Sequence, residues 1–183
     1  LKTTNGELTY EAVNGMQYLD AVINEALRLW PIAVFLDRIS TEDFELPPAL
    51  PGDKPFVLKK GASVWFPVYG LHRDPKYFEE PDKFLPERFL DENKKVVNSV
   101  AYIPFGLGPR MCIGNRFALL ETKIMLFHLL NRCELKLCSK TSHPLRLSKT
   151  SFAMMAEGGF WLKIQARDNA NVSSHVVNGS ATN

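Results

Sequence analysis

The sequence predicts a mainly α chain with small β-sheets, an α+β class. Two segments, 18–30 and 113–131, carry helical apolar periodicity, while short apolar runs broken by Gly and Pro fill residues 32–66. A Gly-Gly turn between extended stretches closes the ordered part of the chain. At 183 residues the chain has the length of one domain or a piece of one. Hydrophobic residues make up 45% and charged residues 23%, enough to form a core and inconsistent with wholesale disorder. Lys plus Arg number 22 against 20 Asp plus Glu, and a net charge of +2 gives no electrostatic reason to expect nucleic acid or an anionic membrane as partner. Three Cys, an odd number, argue against a disulfide scaffold and fit a reducing compartment. No apolar run approaches the roughly 18 residues of a membrane-spanning helix, and no basic-then-apolar leader is visible. The chain opens on Leu1 and not on Met, so the expectation is a fragment of something longer.

Residues 1–17 are polar, contain Gly6 and Gly15, and read as a loop leading in. Leu19, Val22, Ile23, Ala26, Leu27 and Trp30 then mark one face of a helix that Pro31 stops. An extended stretch follows over 32–45, through Ile32, Val34, Leu36 and Ile39, and a Pro-rich loop runs from Leu46 to Gly52. Phe56-Val57-Leu58, Lys59-Lys60-Gly61 and Val64-Trp65-Phe66 read as strand, turn and strand, and a short helix is expected between Pro67 and Leu71. The charged, Pro-punctuated stretch from His72 to Asp91 reads as a long loop, and a loop of that length in a compact chain is usually functional or tied down. In the 113–131 helix, Phe117, Leu120, Ile124 and Phe127 are joined by Leu119, Met125, Leu126, Leu129 and Leu130, coverage wide enough to predict a buried helix. Residues 147–166 read as a hairpin around Glu157-Gly158-Gly159, and the Asn/Ser/Gly-rich tail 167–183 as disordered.

The most informative segment is Pro104-Phe105-Gly106-Leu107-Gly108-Pro109-Arg110-Met111-Cys112-Ile113-Gly114. Three Gly and two Pro around one Cys describe a rigid, tightly turned loop whose glycines let a bulky ligand approach the backbone. Cys112 lies at the start of the second helix, where free N–H groups and the helix dipole favour thiolate over thiol, and Arg110 and Arg116 add positive charge. Such a thiolate can be a nucleophile or a metal ligand, and flanking glycines favour something flat and large. Upstream, Glu25 and Arg28 sit at i, i+3 on the polar side of the first helix, where an isolated pair is normally a solvated surface pair of little consequence.

Phe105, Gly108, Arg110, Cys112 and Gly114 match the haem-binding loop Phe-x-x-Gly-x-Arg-x-Cys-x-Gly of the cytochrome P450 family at every fixed position, and Ala118 also fits. The chain therefore resembles the C-terminal haem-binding part of that fold: residues 1–166 as a partial domain, 167–183 as tail. The resemblance implies that Cys112 is the proximal axial thiolate of haem b iron, the metal ligand and catalytic centre of this chain, which pushes electron density toward O–O cleavage. It implies that Phe105 shields the sulfur, that Gly108 and Gly114 line the cofactor, and that Arg110 and Arg38 pair with haem propionates. Glu25-Ala26-Leu27-Arg28 resembles the family's Glu-x-x-Arg helix, where the pair is buried. Pro86-Glu87-Arg88-Phe89, preceded by His72-Arg73-Asp74-Pro75, resembles the loop whose Arg joins it, so Glu25, Arg28 and Arg88 would form a network holding the cysteine loop. Two apolar regions would border the substrate pocket: Ile32 to Leu36, with Val34 and Phe35, and Phe152 to Ala156, with Met154 and Met155.

The implied activity is a monooxygenase that inserts one atom of O2 into a lipophilic substrate and reduces the other to water. Electrons would come from a separate NADPH-dependent reductase, with cytochrome b5 as a further candidate donor, since no Walker or dinucleotide motif is present. The wording of the loops resembles eukaryotic microsomal members of the insect detoxification branch, which implies the cytosolic face of the endoplasmic reticulum membrane and an anchor upstream of this chain. Two alternatives stay open: a haem-thiolate isomerase or dehydratase of lipid peroxides, and a truncated product without catalysis. Cys133 and Cys138 lack the second pair a zinc site needs and read as ordinary thiols. His72, His128, His143 and His175 form no metal or triad spacing, and the sequons at Asn171 and Asn178 are short enough to occur by chance.

Overall fold

A computed structural model of the chain describes residues 8–90, 100–149 and 154–167. The tail beyond Arg167, like Phe152 and Ala153, lies outside the described residues. The stretch expected to be a loop leading in contains a one-turn helix, α1 (Tyr10–Asn14). Thr9 Oγ1 accepts the Ala12 N–H at 3.2 Å and Val13 is buried, a cap and an anchor too short to register as periodicity. Helix α2 (Gln17–Leu29) follows, ending with Trp30 as its C-cap ahead of the buried Pro31.

Four short strands build one bent ribbon. β1 (Leu36–Ile39) pairs antiparallel with β4 (Ser63–Phe66), and β2 (Phe44–Leu46) with β3 (Phe56–Leu58). Leu36 lies opposite Phe66 and Phe44 opposite Leu58, so each limb advances by the same number of residues and the two ladders share one register. The expected strands and Lys59–Gly61 turn are present, but each strand pairs with one earlier in the chain. At the bend, Asp43 accepts from Lys60 N–H at 2.8 Å and pairs with Lys59 Nζ at 2.7 Å. Gly61, at φ +82°, supplies a left-handed turn.

Helix α3 (Val68–Leu71) leaves the ribbon after Pro67 and is held to the segment ahead of β1 by Tyr69 N–H on Val34 C=O at 3.0 Å. The stretch after it is tied down by turns and ends in a 3-10 turn over Pro86–Phe89, packed on α2. The core there consists of Ala21, Phe78, Phe89, Ala101 and Tyr102. Tyr102 Oη lies 2.9 Å from Asn24 Oδ1 and 3.1 Å from Asn24 C=O. Burial pushes its phenol well above the usual range, so it stays neutral.

Helix α4 (Asn115–Arg132) begins just past the cysteine loop and runs directly into β5 (Cys133–Lys136), which pairs with β6 (Lys163–Ala166). The expectation of a buried helix is not met. Lys123 is the one buried residue of α4, pairing with Asp20 at 2.7 Å, whereas Phe117 is 70% exposed. Among the described elements α4 packs mainly on α1, α2 and β5, and Phe117, Ile124, Met125 and Leu130 stay exposed. The hairpin is also displaced. Ser148 N–H bonds to Met155 C=O and Glu157 N–H to Arg146 C=O, both at 2.8 Å, so Glu157–Gly159 lies at the base of that pairing and not at its tip. The left-handed Gly158 and Gly159 turn the chain toward β6. No helix among the described residues is long and apolar enough to cross a membrane.

Candidate functional site

The site is built on two levels: an exposed cysteine loop and a buried charged core beneath α2. Cys112 N–H bonds to Phe105 C=O at 2.8 Å, which clamps the loop shut across its base. Inside it, Gly106 (φ +78°) and Gly108 (φ +69°) hold left-handed conformations, and Gly108–Arg110 form a 3-10 turn closed by Met111 N–H on Gly108 C=O at 3.0 Å. Cys112 is exposed, Phe105 is half-buried, and Met111 and Ile113 face outward. A Cβ built on Gly106 would lie 3.7 Å from Leu36 Cδ1, whereas one on Gly108 or Gly114 would meet nothing within 4 Å. The loop is therefore seated against β1 at Gly106 and bare at Gly108 and Gly114.

That bareness separates backbone strain from steric clash. Gly108→Ala should lower the stability of the complete protein by about 1 kcal/mol, the cost of holding an L-residue left-handed. Gly114→Ala should be close to neutral in a thermal melt of the ligand-free protein, because Gly114 has φ −90° and open space around it. Equal effects of the two would contradict this geometry.

Leu36 and Arg38 are alternate residues of β1 and project from the same face of the ribbon, the face on which Gly106 rests. Arg38 is exposed and donates to Asp37 C=O at 2.7 Å. Arg110 is exposed as well. Val34 and Phe35 are half-buried. Phe35 stacks on Trp65 with ring centroids 4.3 Å apart, while Met154 is half-buried and Met155 exposed. An open apolar cleft of about 280 Å3 runs between α2 and α4, lined by Ala26, Leu27, Trp30 and Ile32 on one side, by Ala118 and Leu126 on the other, and by Phe105.

Beneath α2 the structure brings Glu25, Arg28 and Arg88 together. Arg28 grips the Glu25 carboxylate with both prongs of its fork, Nε to Oε2 at 2.7 Å and Nη2 to Oε1 at 2.8 Å, and both side chains are fully buried. Its other bonds go to the backbone: Nη1 to His72 C=O at 2.7 Å and Nη2 to Lys83 C=O at 3.1 Å. Glu25 Oε1 also accepts Leu85 N–H at 2.9 Å and lies 3.4 Å from Arg88 Nε. Arg88 in turn donates to Glu80 C=O at 2.9 Å. The solvated-surface alternative for Glu25 and Arg28 is thereby excluded. The polar side of α2 is its most deeply buried edge, while the apolar face lines the open cleft.

Sequence reasoning missed His72. It is fully buried, its ring stacked on Tyr102 at 5.3 Å and edge-on to Phe78 at 6.5 Å. Nδ1 lies 3.1 Å from Arg28 C=O, and Nε2 receives Ile103 N–H at 2.9 Å. Burial, above all, depresses its pKa to about 4. No ligand spacing could have flagged it, because its partners are backbone groups 44 and 31 residues away.

The chain matches the family model described as Cytochrome P450 over residues 2–162. It is 50% identical over 169 residues to cytochrome P450 9e2 of Blattella germanica, an alignment covering 92% of this chain and 31% of that protein. It is 49% identical over 162 residues to probable cytochrome P450 9f2 of Drosophila melanogaster, covering 88% of this chain and 31% of that protein. To lithocholate 6-beta-hydroxylase of Mesocricetus auratus it is 44% identical over 161 residues, covering 88% and 30%. The chain thus spans about a third of the length of the curated relatives it matches.

Proposed function

The chain belongs to the cytochrome P450 family, and from that premise we propose that it is the proximal, haem-ligating part of a haem-thiolate monooxygenase. The observation that carries this reading is the exposed Cys112 thiol on a loop clamped at its base and bare at Gly108 and Gly114. The donor set fits the cofactor. Among the described residues no group of three or more His, Cys, Asp or Glu could hold a bare metal ion. A single soft thiolate would suit iron whose other donors are supplied by a porphyrin. Bare glycines suit a flat macrocycle lying close to the backbone.

Haem, when bound, supplies the redox and oxygen chemistry by which one atom of O2 enters the substrate and the other leaves as water. In this reading Cys112 gives the proximal donor, Phe105 flanks it, and Arg38 and Arg110 offer guanidinium forks to the propionates. Glu25, Arg28 and Arg88 brace the loop from below. The substrate is a lipophilic small molecule, in keeping with a relative whose name states that it hydroxylates lithocholate; Val34, Phe35, Met154 and Met155 would border its pocket. Electrons come from a separate NADPH-dependent reductase, assisted by cytochrome b5. The complete protein works at the cytosolic face of the endoplasmic reticulum membrane, anchored by a segment outside these residues.

Expressed in its complete form, reduced and exposed to CO, the protein should show the red-shifted Soret band of thiolate-ligated haem. Cys112→Ser should abolish the band. A band that survives Cys112→Ser would overturn the ligand assignment. Turnover of a lipid hydroperoxide without any reductase, and none of a hydrocarbon with one, would overturn the monooxygenase assignment.

A further inference from the structure

Two polar regions meet at His72, and the directions of its bonds are fixed by its partners. A backbone N–H can only donate, so Nε2, which receives Ile103 N–H at 2.9 Å, carries no proton. A carbonyl can only accept, so Nδ1, 3.1 Å from Arg28 C=O, carries it. The ring is thus held as one neutral tautomer. Arg28 and His72 are locked reciprocally, since the Arg28 guanidinium also donates to His72 C=O at 2.7 Å. The other end of the ring holds Ile103, whose C=O accepts Gly106 N–H at 3.1 Å. Two residues past Ile103, Phe105 C=O clamps Cys112.

We propose that His72 is a positioning residue that transmits the geometry of the buried Glu25–Arg28 pair to the cysteine loop, through donation to Arg28 C=O and acceptance from Ile103 N–H. The Ile103 bond is the critical half. Without it, a buried N–H at the root of the loop has no acceptor, a loss felt in full because Ile103 is itself buried. The charged and titratable groups around the ring are Arg28 and Glu25 from α2, Arg73 beside it in the chain, and Tyr102 stacked on it. Arg28 and Arg73 both oppose a proton on Nε2.

This inference rests on the haem reading for its spectroscopic arm only. In the complete protein, His72→Gln can present an amide oxygen near the place of Nε2, whereas His72→Asn reaches only the place of Nδ1. Hydrogen exchange read by mass spectrometry should show amides 103–112 exchanging at least about tenfold faster in His72→Asn. In His72→Gln they should exchange near the wild-type rate, with α2 amides protected in both. At equal haem content, His72→Asn should also lose part of the red-shifted CO band that His72→Gln keeps. Matching exchange in the two variants, or loosening of α2 together with the loop, would overturn the proposal. If the wild type lacks the band, the haem reading fails while the exchange data still decide the role of His72.

Discussion

Arg28→Ala will strip haem from the complete protein and destabilise it by about 3–5 kcal/mol, the range for breaking a buried ion pair from one side. The Arg28 side chain makes four bonds, two to the Glu25 carboxylate and one each to His72 C=O and Lys83 C=O. Alanine leaves Glu25 charged and fully buried, with Leu85 N–H at 2.9 Å and Arg88 at 3.4 Å as its remaining support. It also orphans carbonyls from two segments, around His72 and Lys83, that the guanidinium ties to α2. Arg28→Lys should fare little better, because one ammonium cannot grip a carboxylate with two prongs and still reach both carbonyls. Glu25→Ala should be comparably severe for the opposite reason, leaving Arg28 and Arg88 without their common anion. The two losses should not add: the double variant, with both charges gone, should cost clearly less than the sum of the singles. Breaking the exposed Lys59–Asp43 pair with Lys59→Ala should leave haem content unchanged. Haem absorbance per folded protein and thermal melts measure all of this, and normal haem content in Arg28→Ala would sink the bracing role.

Residue spacing alone does not reveal the depth of these groups. Periodicity in α2 identifies which face is apolar, and Leu19, Val22, Ala26, Leu27 and Trp30 do share one. It says nothing about what lies opposite. The segment that covers α2 comes from residues 72–90 and 101–103, and it covers the Glu25–Arg28 edge because that edge can accept and donate to its backbone. Spacing alone reads Glu25 and Arg28 as a solvated pair for this reason, whereas the motif resemblance implies the buried pair that the structure contains. The same blindness affects α4, whose apolar residues predict burial although the described chain covers few of them. The cysteine loop was far more legible. Its Gly and Pro residues dictate the turn locally, and the left-handed Gly106 and Gly108 are such a local consequence. The ribbon was legible in its strands but not in their partners, which a shared register over both limbs decides. His72 lay beyond reach, since a histidine held by two backbone groups leaves no pattern in the side chains around it.

The buried His72 also makes the fold acid-sensitive in a defined window. Its pKa in the folded protein is about 4, depressed chiefly by burial, against an ordinary value of 6.5 when the chain unfolds. Between these values the unfolded chain binds the proton and the folded one does not, so stability rises with pH there. The stabilisation is complete above pH 6.5 and is lost progressively as the pH falls through about 4. At roughly 1.4 kcal/mol per pH unit, the loss across the window is on the order of 3 kcal/mol. Protonation is costly because burial disfavours the charged ring, Nε2 would then point a proton at Ile103 N–H, and the Arg28 and Arg73 cations lie nearby. The Asp43 carboxylate does not mimic the effect in this range. Asp43, whose pKa is lowered by the Lys59 ammonium, contributes stability that is lost only as the pH falls below the ordinary 3.8. Melting temperature followed from pH 7 down to pH 4 should therefore fall steadily in the wild-type protein and stay much flatter in His72→Gln, which has no proton to take up. Parallel curves would mean that other groups govern the acid response and that His72 takes up its proton as readily in the folded chain as in the unfolded one.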